Sequence, residues 1–304
     1  MKQCSKCHQP AVIFIQYNGT HLCQTHFFDY VERRVKKEIT KQGKTQKNTT
    51  IGVALSGGKD STVCLSLLCD IYKKRSHVHL VAITVDEGIQ GYRPASIQVA
   101  QQTCEELHID HHIISFKDVF DITMDEIASQ DHQLGDCSFC GVFRRQCLNL
   151  LGKKLNVDKL ATGHNLDDMA QSILMNFVNG DIEKLARLGP HEHVQPGLIP
   201  RMLPLRTIPE KELTLYAILK KFKFHHGQCP YAHEALRGEF RDIVDELEQH
   251  HPGTRHSIVK SYDGIKPSLM HCCPSVPLHS CVRCGEPTTQ NMCKACLLQE
   301  QVIH

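Results

Sequence analysis

Ser56-Gly57-Gly58-Lys59-Asp60-Ser61 stands between a short apolar run, Ile51 to Leu55, and a segment of helical apolar spacing, Ser61 to Tyr72. Glycines let a backbone approach a phosphate closely, and a helix amino terminus offers N–H donors and a positive dipole end. A simple glycine turn with a helix cap would use Ser or Asp in a similar way. The same chain carries Cys137-x-x-Cys140 and, far downstream, Cys229. Three thiols with no obvious fourth ligand suit a catalytic metal with an open position, or an iron–sulfur cluster with one iron left free. A redox Cys-x-x-Cys pair and a third structural zinc site are the alternatives. Arg144 and Arg145 follow closely, where they would lower thiolate pKa values and meet an anionic substrate. A nucleotide loop beside soft ligands points to activation by ATP followed by delivery of sulfur.

Two further sets lie at the chain ends. Cys4-x-x-Cys7 with Cys23-x-x-His26, and Cys281-x-x-Cys284 with Cys293-x-x-Cys296, each supply four ligands from short knuckles. That suits tetrahedral Zn²⁺ in closed sites that staple segments too small to bury a core. Carboxylates are expected at the nucleotide site as well. Asp86 ends an apolar strand, and Gly163-His164-Asn165-Leu166-Asp167-Asp168 follows another on the same face. Such groups can hold Mg²⁺ against phosphates or cap a helix; Asp168 is the expected metal carboxylate, with Asp167 as the cap. Cys64, Cys69, Cys104 and Cys147 read as core residues, and Cys272-Cys273 has no partner set.

Sixteen cysteines in 304 residues exceed what a core needs. Without an apolar leader or roughly 18 consecutive apolar residues, they read as metal ligands in a reducing, cytoplasmic setting rather than disulfides. The net charge of +2 identifies no polyanion partner, but Arg33, Arg34, Lys36, Lys37, Lys41, Lys44 and Lys47 form a basic stretch. It reads as a contact for a phosphate backbone or as a solvated helix and linker. Strand and helix patterns alternate from Ile51 to Asn179, with expected strands at 79–85, 111–115 and 159–162 and helices at 96–107, 143–155 and 167–179. Helices over 210–222 and 232–250 follow. The pattern predicts an α/β fold, a doubly wound parallel sheet with ligands at the carboxyl ends of its strands. Expected segments are an amino-terminal zinc module over 1–30, a basic helix and linker over 31–50, the α/β domain over 51–274 and a carboxyl-terminal zinc module over 275–304.

The loop at 56–61 matches the PP-loop of enzymes that split ATP into AMP and pyrophosphate. With Cys137-Ser-Phe-Cys140-Gly-Val-Phe-Arg-Arg-Gln146, Ala161-Thr-Gly-His-Asn-Leu-Asp-Asp-Met-Ala170 and Gln228-Cys229-Pro230-Tyr231-Ala232, it resembles the tRNA 2-thiouridine synthetases, and most closely the archaeal and eukaryotic cytoplasmic group acting on the wobble uridine. The resemblance implies a PP-loop ATP pyrophosphatase domain between two zinc fingers, as a homodimer. It implies ATP held by Ser56, Gly57, Gly58, Lys59, Asp60 and Ser61, with Asp86, Gly163, His164 and Asp168 nearby and Ala54 and Ile83 framing the adenosine. Cys137, Cys140 and Cys229 would bind a 4Fe–4S cluster able to carry sulfide, and a cysteine persulfide is the other route. Asp60, Arg144 and Asp168 would be catalytic. A related thiolase has lysine where Arg144 stands, and arginine does not readily shuttle protons, so electrostatic stabilisation is the expected role. The partners implied are tRNA and a sulfur donor, either sulfide or a ubiquitin-like carrier, with no membrane. Thiolation of another tRNA base, or a non-catalytic RNA-binding scaffold, would leave the same motifs.

Overall fold

The computed structural model describes residues 2–302 apart from Lys44, Gln46, Lys47, Gln133, Glu192, His193 and 233–236. The basic residues Lys44 and Lys47, and the start of the helix expected from Ala232, thus fall wholly or partly outside the described residues. Strands β1 (Ile13–Ile15) and β2 (Thr20–Leu22) form an antiparallel hairpin, followed by α1 (Gln24–Lys41). The central units are β3 (Thr49–Ala54), α2 (Lys59–Tyr72), β4 (Val78–Asp86), α3 (Arg93–Leu107) and β5 (Asp110–Ser115). Next come α4 (Phe116–Phe120), α5 (Met124–Ala128), α6 (Asp136–Lys154), β6 (Lys159–Ala161), α7 (Leu166–Val178), α8 (Ile182–Arg187) and β7 (Arg201–Met202). The chain continues through α9 (Glu210–Leu219), α10 (Arg237–His250) and α11 (Thr254–Cys272), then β8 (His279–Ser280), β9 (Pro287–Thr288) and α12 (Lys294–Val302). Among the described residues no helix is long and apolar enough to cross a membrane.

The five central strands run parallel in the order β5-β4-β3-β6-β7. Chain direction across the sheet reverses between β3 and β6. At such a switch point the loops leave in opposite directions and open a crevice at the carboxyl edge. The loop after β3 is 55–58, and the loop after β6 is 162–165. Their approach is close: a β-carbon on Gly163 would lie 2.9 Å from the Ser61 amide nitrogen.

Three differences from the expected elements bear on the site. Helix α1 begins at Gln24, inside the amino-terminal module, and crosses the expected boundary at 30. Phe27, Val31, Val35 and Ile39, one side chain per turn, bury a stripe in the core shared with α2 and α9. Arg34 on that helix is drawn inward to Glu212 at 3.1 Å, so it does not belong to the exposed basic face formed by Arg33, Lys36, Lys37 and Lys41. Helix α6 begins at Asp136, seven residues before the expected start, so Cys137 and Cys140 lie in its first two turns rather than ahead of it. Helix α11 was not expected at all, because Gly264 and Pro267 interrupt its pattern; Tyr262 and Val259 nevertheless anchor it against α7 and α8.

Candidate active site

In the loop after β3, Ser61 Oγ donates to the Gly58 carbonyl at 2.9 Å and accepts from the Ser56 N–H at 3.2 Å. These bonds fold the loop over the first turn of α2. Gly57 has a φ of +80°, and a β-carbon there would stand 2.0 Å from the Ser96 carbonyl oxygen of α3. Gly57→Ala is therefore expected to cost about 2 kcal/mol or more, from left-handed backbone strain plus the clash. Urea unfolding and ATP titration should show the stability loss together with at least tenfold weaker ATP binding.

Lys59 Nζ lies 2.7 Å from Asp60 and 3.4 Å from Glu210. Asn165 donates to the other Asp60 oxygen at 3.4 Å, tying the two crevice loops together. Burial pushes the Asp60 carboxyl up, Lys59 opposes it, and Asp168 and Glu210 add to the rise. The division of work between Asp167 and Asp168 differs from expectation. Asp168 completes a capping box with Asn165, at 3.0 and 3.1 Å, while also facing Arg237. Asp167 instead accepts from the Glu210 N–H and pairs with Arg255, both at 2.7 Å. Asp86 accepts from the Gly88 N–H at 2.9 Å in its own turn. Among the described residues, no three carboxylates gather within metal-ligand range of one another. Ala54 and Ile83 are register partners at the edge of β3 and β4, and the Ile83 carbonyl is taken by the Leu55 N–H at 2.8 Å. His164 bonds Thr162 Oγ1 through Nδ1 at 2.7 Å. Loss of surrounding water lowers its pKa against the pull of Asp168, and the charges of Arg237, Arg144 and Arg201 lower it further, so the ring stays neutral.

Glu87, next to the expected Asp86, links this loop to the cysteines. It is 5% exposed and contacts Arg93 Nε at 2.6 Å and Arg144 Nε at 3.0 Å. The Arg93 contact is a charge pair without an aligned hydrogen bond. Arg93 also donates to the Ser56 carbonyl at 3.0 Å and to the Val85 carbonyl, and Arg144 donates to Cys140 Sγ at 3.0 Å. One continuous chain of charge thus runs from the nucleotide loop to a thiol. A sequence signal for Glu87 existed only in its position after a buried strand.

A second link is the segment 225–231. The His225 N–H donates to the Gly57 carbonyl at 2.8 Å, and the His225 ring packs edge-on against Tyr92. Four residues on, Cys229 is therefore within about 14 Å of the loop, the reach of an extended chain. Cys137 Sγ then meets the Tyr231 carbonyl at 3.5 Å, and the Tyr231 hydroxyl donates to Asp125 at 2.7 Å. Cys140 and Cys229 share one apolar cluster. Burial pushes the Cys140 thiol up; Arg144 pulls it down without overcoming burial and the nearby Glu87 charge. The expected net lowering by the arginines is thus not what the buried setting produces.

The terminal sets differ in kind. Ligand atoms in each lie within 4.8 Å of one another. Cys7–Cys23 is 3.7 Å, Cys23–His26 3.3 Å, Cys284–Cys293 3.6 Å and Cys281–Cys296 3.9 Å. Tetrahedral thiolates about 2.3 Å from one ion stand about 3.8 Å apart, so each set fits a single Zn²⁺. Cys137, Cys140 and Cys229 do not close to that spacing. Tyr231 and the shared apolar cluster bring the three thiols to one region without a single-ion cage, which suits ligands on separate irons of a cluster better than one ion. The carboxyl-terminal module is seated on α6: Asn149 donates to Glu286 at 2.9 Å and Lys153 pairs with the same carboxylate. Cys64, Cys104 and Cys147 are core residues, with Cys69 at the core margin.

Comparison with known proteins places this geometry. A profile described as a PP-loop domain matches residues 30–247, and one described as the amino-terminal LIM domain of the 2-thiouridine synthetase TtuA matches 3–28. The chain is 39% identical to the tRNA 2-thiolation protein NcsA of Haloferax volcanii, covering 99% of both. It is 35% identical to cytoplasmic tRNA 2-thiolation protein 1 of Aspergillus niger, over 98% of this chain and 87% of that one. A solved structure of the U34-tRNA thiolase NcsA from Methanococcus maripaludis, with its 4Fe–4S cluster, superposes with a TM-score of 0.86 at 37% identity, covering 99% of this chain and 96% of that one. A nucleotide crevice at the switch point, two metal-type terminal modules and matches along the whole length make the chain a member of the PP-loop tRNA 2-thiolation family.

Proposed function

We propose that this chain is an ATP-dependent tRNA sulfurtransferase that converts the wobble uridine to 2-thiouridine. The observation that carries the reading is the double link, through Glu87 and through residues 225–231, between the nucleotide loop and three thiols. A uridine C2 oxygen is a poor leaving group. It attacks the α-phosphorus of ATP, the bond to pyrophosphate breaks, and the oxygen becomes an adenylate ester. Sulfide then adds to C2, and AMP departs with the oxygen. With sulfide as donor no electrons change hands.

The first turn of α2 and the loop N–H groups stabilise charge on the departing pyrophosphate, with Lys59 turning from its carboxylate partners to the phosphates. Asp60 and Asp168 are the residues to hold Mg²⁺. Cys137, Cys140 and Cys229 are the residues to hold a 4Fe–4S cluster, which when bound supplies an iron free to carry sulfide. Arg144, half-exposed in the crevice and fixed by Glu87, offers positive charge beside the reacting centre without donating its proton. The exposed face of α1, with Arg33, Lys36, Lys37 and Lys41, is placed for the tRNA backbone. The donor is sulfide or a ubiquitin-like carrier. Exposed Phe177, Val178 and Ile182 on α7 and α8 offer an apolar face for a homodimer.

The test is anaerobic incubation of the iron-loaded chain with an unmodified tRNA transcript, ATP, Mg²⁺ and sulfide. AMP and pyrophosphate are expected to form in equal amounts with 2-thiouridine at the wobble position by nucleoside mass spectrometry. Absence of tRNA-dependent AMP, or sulfur at another base, would overturn the reading.

A further inference from the structure

Among the described residues, two arginines beside the crevice have no carboxylate partner. Arg145 follows Arg144 on α6, and Arg201 opens the edge strand β7. Backbone anchors fix their relation. The Asn149 side chain accepts from the Ile199 N–H at 3.1 Å and donates to the Gly197 carbonyl at 2.9 Å, stitching the approach to β7 onto α6. The Ile199 δ-methyl lies 2.5 Å from where a β-carbon on Gly152 would stand, so that side chain faces α6. Residues two apart in extended chain share a face, so Arg201 also faces α6. On α6, Arg145, Asn149 and Gly152 fall at i, i+4 and i+7, which is one helix face.

Height in the fold agrees. The amino half of α6 lies at the carboxyl edge of the sheet, where Arg144 meets Glu87 just past β4. From the Asn149 anchor, one helical turn back to Arg145 and two extended residues on to Arg201 each rise about 6 Å toward that edge. Arg201 pairs in register with Leu160 of β6, the strand that leads into His164. The Arg145 guanidinium leans back over Gly141, with Nη1 3.4 Å from that residue's missing β-carbon, so it tilts toward the crevice.

Among the described residues neither guanidinium has an ion pair or a side-chain hydrogen bond. Burial, followed by the charge of Arg145, pushes Arg201 down to about 10. Holding a like charge near Arg201, which is partly withdrawn from water, is unfavourable until an anion enters. The nucleotide loop lies one strand away, between β3 and β6, where pyrophosphate from ATP would sit. Arg145 instead lies within electrostatic reach of Cys140, and Gly197 ahead of β7 packs against Pro287 of the carboxyl-terminal module. We propose that Arg145 and Arg201 together grip one phosphodiester of the RNA substrate, next to the base being modified. This assignment rests on the tRNA reading above.

The experiment measures binding of an unmodified tRNA transcript to the full chain, and separately of ATP and of inorganic pyrophosphate, for wild type, Arg145→Ala and Arg201→Ala over a range of salt. Each variant is expected to bind tRNA about tenfold more weakly, with a salt slope smaller by about one, while ATP and pyrophosphate bind as before. Arg145→Lys and Arg201→Lys should recover part of the affinity. Melting temperatures should not fall, since each alanine removes a repulsion rather than a pair. Unchanged tRNA affinity and slope in both variants would overturn the assignment and leave the functional reading standing. Weaker pyrophosphate binding with unchanged tRNA binding would overturn it in favour of the nucleotide as the source of phosphate. A wild-type chain that binds no tRNA would remove the functional reading and this assignment together.

Discussion

Cys229→Ser is expected to abolish tRNA thiolation, together with the iron–sulfur absorbance near roughly 400 nm of the anaerobically reconstituted chain. Cys229 is half-buried at the margin of an apolar cluster, on a segment already held at both ends. His225 secures one end to Gly57, and Tyr231 secures the other to Asp125 and Cys137. Serine removes one atom's worth of soft donor and opens no core cavity. The melting temperature of the iron-free chain should therefore stay within about 2 °C of wild type. Iron and sulfide analysis, visible absorbance and nucleoside mass spectrometry check the result. A variant that still thiolates would eliminate the three-thiol site.

Glu87→Gln is expected to damage stability and activity together. It leaves buried Arg93 without its charge partner, and breaking one side of a buried ion pair costs about 3 kcal/mol. The Arg144 arm adds little to that cost, because its side chain is 51% exposed and solvent screens the pair. Its loss matters chemically instead, since Arg144 then keeps its bond to Cys140 without the carboxylate that orients it. Urea unfolding should show the stability loss, and a double-mutant cycle with Arg93→Gln should show coupling of about 2 kcal/mol. Coupling near zero would mean that the pair contributes no specific stability. Thiolation should fall at least tenfold at saturating ATP, measured by 2-thiouridine yield per enzyme.

The parts of this molecule that depend on neighbours in sequence were readable there. The loop 56–61, the alternating strands and helices, and the two four-ligand sets are local patterns, and the fold built from them has the expected parallel sheet. Features that depend on tertiary partners were not. Nothing near Glu87 reveals that Arg93 and Arg144 converge on it, and the sequence points instead to Asp86, whose carboxylate closes its own turn. The amino end of α6 was placed late, since Gly135 and Gly141 obscure a helix start that Asp136 stabilises from the first turn. Arg34 looks like its basic neighbours in sequence, and its distant partners, among them Tyr17, His256 and Glu212 178 residues on, distinguish it. Helix α11 was hidden by its own glycine and proline.

Helix α6 carries Cys137 and Cys140 in its first two turns, Arg144 and Arg145 in its third, and Asn149 and Lys153 on its last turns, where they hold Glu286. Its 19 residues make a strut about 28 Å long. The carboxyl-terminal cysteine module grips this strut at Gln146, Asn149 and Lys153, so a shift of the module is passed along the helix toward the thiols at its amino end. A metal ion held by that module, far from any reacting atom, would thereby act as ballast for the sulfur chemistry, and stripping it would shift the thiols and Arg144 while leaving the loop at 56–61 in place.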